Sequence, residues 1–219
     1  ALLAQMVASR SYALYLSAQG QSFTANSALC SGWTSSEVLQ SRWGSDYAAN
    51  MQRLQSLAAR TGQAVLLYNG QPAAACYHAI SSGHTEASQN VWGGQLPYLC
   101  GVDSAWDKFA DGYEVTIQYS AEQVRTALEE LGLTPNDSPE SWVGASTWDK
   151  AGYVRTLELC GQMVSGLEVR KALDLRSTCF AIAWRGGQFV ITTRGYGHGV
   201  GLSQYLSLIH ISEPTRLRR

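Results

Sequence analysis

Between Arg194 and Gly201 every second residue is a glycine: Gly195, Gly197, Gly199 and Gly201 alternate with Tyr196, His198 and Val200. A run of this kind admits close approach of backbone to a ligand, or of two chain segments to each other. It also leaves His198 with few crowding neighbours. A purely structural turn would satisfy the glycines alone, but Ser203, Gln204 and Tyr205 follow directly and point to function. No Lys-Ser/Thr pair follows the glycines, so this is not a phosphate-binding loop.

The rest of the chain must present this segment. Ala1 to Ala18 is rich in Ala and Leu at helical spacing and predicts a largely buried helix. Gly20 to Ser36 reads as loop or irregular strand. Ser45 to Gly62 predicts a second helix, capped by Ser45 or Asp46 and ended by Gly62. Ala64 to Tyr68 and Ala73 to Ile80 flank Asn69-Gly70, a two-residue hairpin signal. Ser81 to Leu99 predicts a long functional loop. Tyr113 to Tyr119 alternates as a strand, and Ser120 with Gln123 makes a capping box for a helix to Leu131. A polar linker, Thr134 to Ser141, precedes strands at Val154 to Leu159 and Gln162 to Val164. Ser165 to Leu175 turns into a short helix, and Phe180 to Trp184 pairs with Gln188 to Thr193 across Arg185-Gly186-Gly187. The fold class expected is α+β: N-terminal helices packed with mixed, mainly antiparallel strands and long functional loops.

Length and composition narrow the function. The 219 residues suffice for one sizeable core or two small ones sharing an interface. A net charge of -1 argues against nucleic acid as the main partner, because phosphate neutralisation needs concentrated Lys and Arg. Seven Trp and eleven Tyr include candidate platforms for sugar rings. Cys30, Cys76, Cys100, Cys160 and Cys179 form no C-x-x-C pair, and their odd, irregular set predicts buried free thiols rather than a disulfide framework. No run reaches the length of a membrane span.

A second chemical cluster follows the hairpin. His78, Ser81, Ser82, His84, Thr85 and Glu86 place two imidazoles, three hydroxyls and a carboxylate on one loop. His78 alone suits a core histidine bonded to a carbonyl. His78 and His84 with Cys76 could be read as a metal site, but their spacing fits neither a helix face nor a zinc signature. No metal and no cofactor is expected.

Four ordered stretches carry a resemblance. ALLAQMVASRSYAL resembles a family helix written LKAQAVAARTYAL. SSGHTEASQNVWGGQLPYLCGVDSAWD resembles S-x-G-x-T-E…VWG…PYL…V-x-S-x-W-D. GLEVRKALDLRSTCF and GYGHGVGLSQY resemble G-x-E-x-R-x-x-L-x-L-R-S-x-x-F and G-x-G-H-G-V-G-M-S-Q-Y-G-A. Together they are similar to the sporulation protein D / amidase-enhancer family over residues 1–205. The resemblance implies an extracytoplasmic, cell-wall-facing protein with a membrane anchor N-terminal to this sequence. In spore formers such a protein is a lytic transglycosylase that cleaves peptide-stripped peptidoglycan strands during engulfment, with a cell-wall amidase as partner.

Such chemistry needs one carboxylic acid to protonate the glycosidic oxygen, after which the sugar's own hydroxyl closes an anhydro ring. The family's acid is a Glu in an E-M-P motif, implied here to lie upstream of Ala1. The catalytic-cleft residues carried over are Arg10, Tyr98, His198 and Tyr205, with Arg10 holding the acid's position or charge and the tyrosines contacting sugar. Ser81, Ser82, Gly83, Thr85, Glu86, Gly197, Gly199 and Gln204 are carried over as substrate-binding. Leu3 and Cys100 stand where the family has cations. An H-x5-C-x4-H-C zinc pattern of some members keeps only Cys30, with Thr24, Ser35 and Ser36 at the other places, so no zinc is expected there. After Tyr205 the string LSLIHISEPTR resembles the translation of a sequencing adapter, so residues 206–219 are expected to be a non-native tail and His210 to belong to no site. The competing expectations are a non-catalytic glycan-binding module or amidase activator and, third, a metal hydrolase using His78 and His84.

Overall fold

The computed structural model describes residues 1–21 and 34–205. Thr24, Cys30, His210 and the segment 206–219 lie outside the described residues. Two compact units divide the chain, Ala1–Tyr77 and His78–Arg219.

In the first unit, α1 (Leu2–Ala18) packs against α3 (Tyr47–Thr61). Only Ala8, Ser11 and Leu16 of α1 are buried, fewer than its composition predicts. Its apolar residues are spread around the helix, so no single stripe can be covered at once. Ser11 is fully buried because its hydroxyl donates to Val7 O (2.6 Å) and accepts from the Leu66 amide (2.8 Å), tying α1 to the hairpin strand's approach. A helix absent from the sequence reading, α2 (Ser36–Trp43), is capped by Ser35, whose hydroxyl accepts from the Val38 amide. A 3-10 turn, Gly44–Asp46, joins it to α3, so α3 starts at Tyr47 and Asp46 makes no side-chain cap. Gly62 ends α3 as expected, with φ 50°.

The Asn69-Gly70 hairpin is present but short, with β1 (Leu67–Tyr68) and β2 (Gln71–Pro72) two residues each. Pro72 offers no amide to extend the ladder, and Leu66, Leu67 and Tyr68 remain exposed. Strand β3 (Tyr77–His78) follows.

The second unit holds two three-stranded antiparallel sheets. The first has the order β4 (Glu114–Tyr119), β9 (Gln188–Arg194), β8 (Phe180–Arg185); the second runs β5 (Val143–Trp148), β6 (Val154–Leu159), β7 (Gln162–Ser165). Phe189, Ile191, Leu157, Leu159 and Val169 fill the core beside Val124 and Leu128 of α5 (Ala121–Glu130). Each such buried side chain contributes about 1.5–3 kcal/mol. The Ser120–Gln123 capping box forms as read, and a second box, Ser165 with Glu168, starts α6 (Gly166–Ala172). Trp142 is 1% exposed, stacks on Phe189 and donates its indole N–H to Asn136 O (3.1 Å). The second unit also contains α4 (Ser88–Trp92), β10 (Leu202–Ser203) and 3-10 turns at Ala105–Phe109 and Pro139–Ser141. The fold is α+β.

Cys76, Cys100, Cys160 and Cys179 are free thiols, but only Cys179 is buried and Cys100 is exposed, against the expectation of buried thiols. Among the described residues no helix is long and apolar enough to cross a membrane.

Candidate functional site

The fold joins the two motifs that stand out in the sequence. Ile80 and Tyr196 exchange backbone hydrogen bonds (3.1 and 2.7 Å), the Glu86 amide donates to Gly199 O (2.7 Å), and the Tyr205 amide donates to Ala79 O (3.2 Å). His78 Nδ1 lies 3.1 Å from Val200 O and donates to it. The glycine run therefore serves close approach between two chain segments.

Gly199 shows what that approach requires. Its φ is +77°, and a Cβ there would sit 2.5 Å from the Tyr153 hydroxyl. Tyr153 is 1% exposed, accepts from the Ser82 amide (3.2 Å) and donates to His84 O (3.1 Å), so it cannot retreat. Burial pushes its hydroxyl pKa up to about 12. Gly199→Ala is expected to destabilise the second unit by about 2–4 kcal/mol, from overpacking and positive-φ strain together. A shift in urea midpoint measures it, and an unchanged midpoint would refute this account of Gly199.

Asp107 is the centre of the joint. It is fully buried and accepts from the Ser81 amide (2.8 Å), the Ser104 hydroxyl (3.0 Å) and the Ser203 hydroxyl (2.6 Å). One carboxylate thereby holds the start of the first motif loop, the end of the second and the segment between them.

The loop Ser81 to Glu86 turns its polar side chains inward. Ser81 Oγ accepts from the Gly83 amide (3.1 Å), and Ser82 Oγ donates to Ala151 O (2.8 Å). Thr85 Oγ1 accepts from the Val102 amide (2.9 Å). Glu86 is 3% exposed; its Oε1 accepts from the Ala87 amide (2.7 Å) and Asn90 Nδ2 (2.8 Å), and its Oε2 accepts from Arg155 Nη2 (2.5 Å). Arg155 also ion-pairs with Asp149 and donates to Asn90 O. Burial pushes the Glu86 carboxyl above the usual carboxylate range, and the nearby Asp149 carboxylate adds to the rise.

His198 is half-buried. Its ring lies 5.0 Å from the exposed Trp92 ring and 5.9 Å from that of His78. Its Nδ1 accepts the Val200 amide (3.1 Å), which places the proton of the neutral imidazole on Nε2. His78 is 4% exposed, and burial holds its pKa below the usual histidine value, so it is neutral at pH 7. His78 Nε2 is buried without a hydrogen-bond partner. His84 Nδ1 is 2.8 Å from Thr85 O. Among the described residues no three His, Cys, Asp or Glu side chains gather as a metal would require. Of the zinc-pattern positions, Ser35 is the α2 cap and Ser36 opens that helix.

Tyr98, His198, Gln204 and Tyr205 lie half-buried in the second unit, with Tyr205 Oη donating to Phe109 O (2.9 Å). Gly197 packs against the His78 backbone and Cβ. Arg10 lies in the first unit, where its guanidinium donates to Ala64 O (3.0 Å) and Thr61 Oγ1 (3.1 Å), closing the C-terminal end of α3.

No family model matches the chain. Stage II sporulation protein D of Bacillus amyloliquefaciens is 36% identical over 174 residues, which is 79% of this chain and 49% of that protein. Stage II sporulation protein D of Bacillus subtilis strain 168 is 34% identical over the same shares. The chain belongs to the sporulation protein D / amidase-enhancer family. An amidase enhancer of Bacillus subtilis strain 168 is 29% identical over 64% of this chain and 27% of its own length. The chain spans about half the length of the sporulation protein D relatives it matches.

For this sporulation protein D family chain, sequence reasoning missed Asp107, Tyr153, Arg155 and Trp92. Asp107 stands inside the quoted V-x-S-x-W-D block, so its position was visible although its role was not. Nothing local marks the pairing of Arg155 with Glu86, which lies 69 residues away; its other partner, Asp149, stands six residues before it in the β5–β6 turn.

Proposed function

We propose that this chain is the glycan-binding wall of a peptidoglycan-remodelling enzyme with a sporulation-related cell-wall role, acting as a lytic transglycosylase on peptide-stripped glycan strands. The observation that carries the reading is the welding of the two family motifs, Ser81 to Asn90 and Gly195 to Tyr205, by Asp107 and reciprocal backbone bonds. Motifs more than 100 residues apart are held as one surface edged by Trp92, His198 and Tyr196, a polar and aromatic edge suited to sugar rings.

The general acid is then a carboxyl group outside the two motif loops. Glu86, the carboxylate within them, has its oxygens engaged by three N–H donors and almost no exposure. In the reaction the external acid protonates the glycosidic oxygen as its bond to the anomeric carbon breaks. The sugar's own hydroxyl oxygen bonds that carbon, and its proton returns to the carboxylate. The loops described here bind and orient the strand.

The test compares the 219-residue chain with one extended upstream through the Glu-Met-Pro motif, on peptide-free glycan strands. Anhydro-muramyl ends released by the extended chain and abolished by Glu→Gln in that motif support the proposal. The same ends released by the 219-residue chain would place the acid within it and overturn the assignment.

The same engaged state of Glu86, together with a relative named an amidase enhancer, favours a second reading: a non-catalytic glycan-binding amidase activator. An extended chain that binds denuded glycan and raises amidase turnover without producing anhydro ends would select it.

A further inference from the structure

A cleft bordered by Ser82 opens along the outward face of the β4–β9–β8 sheet. It measures about 770 Å³, within the range of small-ligand sites. Its floor is formed by outward residues of that sheet, Glu114 on β4 with Thr192 and Arg194 on β9, Glu114 facing Arg194 across the two strands. Glu114 Oε2 accepts from Arg194 Nε (2.8 Å), so these charges neutralise each other while staying half-exposed. One wall carries Trp148, at the end of β5 and 56% exposed. The other carries Lys108.

Both walls are held in place by the Ser81–Glu86 loop. The Lys108 stem crosses Gly83: φ there is +100°, and a Cβ would fall 2.3 Å from Lys108 Cε. The ammonium forms no ion pair among the described residues. The turn after Trp148 is fixed three ways. Ser82 Oγ donates to Ala151 O (2.8 Å), Asp149 Oδ1 accepts from the Ala151 and Tyr153 amides (2.8 and 3.0 Å), and Arg155 pairs with Asp149. A large exposed indole and an uncompensated cation are thus held at one cleft over a neutral, hydrogen-bonding floor.

We infer that this cleft is a binding subsite for a pyranose bearing a carboxylate. Trp148 supplies the ring platform, Lys108 pairs with the carboxylate, and Thr192 with the Glu114–Arg194 pair meets hydroxyl groups. The cleft's Cys179 is a packing group, since burial pushes its thiol pKa up to about 11. The inference rests on the glycan reading above in one respect, that the ligand is a sugar.

The experiment titrates the whole 219-residue chain with two disaccharides, N-acetylglucosaminyl-N-acetylmuramic acid, which carries a carboxylate, and neutral N,N′-diacetylchitobiose. The wild-type chain should prefer the acidic disaccharide. Lys108→Met should weaken the acidic one roughly tenfold, the worth of one charge-assisted contact, and leave the neutral one unchanged. Trp148→Ala should weaken both, and Trp148→Phe should restore most of the loss. Lys108 and Trp148 are exposed, so equal melting temperatures accompany these changes. Wild-type binding that neither substitution alters overturns the subsite and leaves the glycan reading standing. Equal affinity for the two disaccharides overturns the carboxylate assignment. Binding of neither, by a chain that still binds denuded strands, overturns the subsite alone; failure on strands as well overturns the glycan reading with it.

Discussion

Asp107→Ala should lower the melting transition of the second unit by roughly 10 °C, from a loss on the order of 3–5 kcal/mol. The substitution leaves the Ser81 amide and the Ser104 and Ser203 hydroxyls facing a buried space that held their acceptor. Each stranded donor costs about 1–3 kcal/mol, reduced where a hydroxyl can turn elsewhere. Asp107→Asn should cost less. If the new amide N–H2 replaces Oδ1, it can donate to Ser203 Oγ, while the surviving oxygen still accepts from Ser81 and Ser104. Thermal unfolding followed by near-UV circular dichroism reads both variants. Equal damage from Ala and Asn would show that charge, not the pattern of donors, is what Asp107 supplies. Glycan binding should fall with Asp107→Ala, because the second motif loop loses its side-chain anchor at Ser203.

Arg155→Met should produce a loss of similar size that depends on pH. Arg155 is the cation between Glu86, whose side chain is 4% exposed, and Asp149, at 18%. Removing it leaves two carboxylates facing each other in a largely buried place, at a cost of about 3–5 kcal/mol near pH 7.5. The sign follows from linkage. Burial already raises the Glu86 pKa in the folded chain, and loss of the guanidinium raises it further. Between its unfolded and folded pKa values, the folded state binds more protons, so this group's contribution is full below the unfolded pKa and is lost as pH rises through the folded one. The deficit of Arg155→Met relative to wild type should therefore shrink on going from pH 7.5 to pH 5. Urea unfolding at the two pH values measures it, and a deficit independent of pH would remove the carboxylate pair from the explanation. Adding Glu86→Gln to Arg155→Met should recover part of the loss at pH 7.5.

The elements legible in the sequence are those set by neighbouring residues. Ser120 with Gln123 and the glycine turn between β8 and β9 act over three or four positions, and they form as read. Strand β5, VGASTW, has no apolar alternation to mark it in the sequence; its pairing with β6 makes it a strand. Helix α2 has a good cap in Ser35 but no buried residue, so no apolar stripe marked it. The motif loops stand out in the sequence as places of unusual chemistry, yet the direction of their side chains is not readable there. Nothing in SSGHTE says that Ser82 reaches Ala151 or that Gly83 lets Lys108 pass. The same limit hides Asp107, whose three donors come from 26 residues upstream, three residues upstream and 96 residues downstream.

The Ser81–Glu86 loop is completed by a segment made much later. His78 and Val200 are separated by 122 residues, and Asp107 waits 96 residues for Ser203. At about 5–20 residues per second of synthesis, that interval is on the order of ten seconds. Throughout it the His78 ring, the Glu86 amide and one oxygen of Asp107 have no final partners, so the nascent loop is open to proteases and to chaperones. Its arrival at a protected state is a timer for completion of the glycine run, and limited proteolysis of chains stalled before and after Gly201 would read that timer directly.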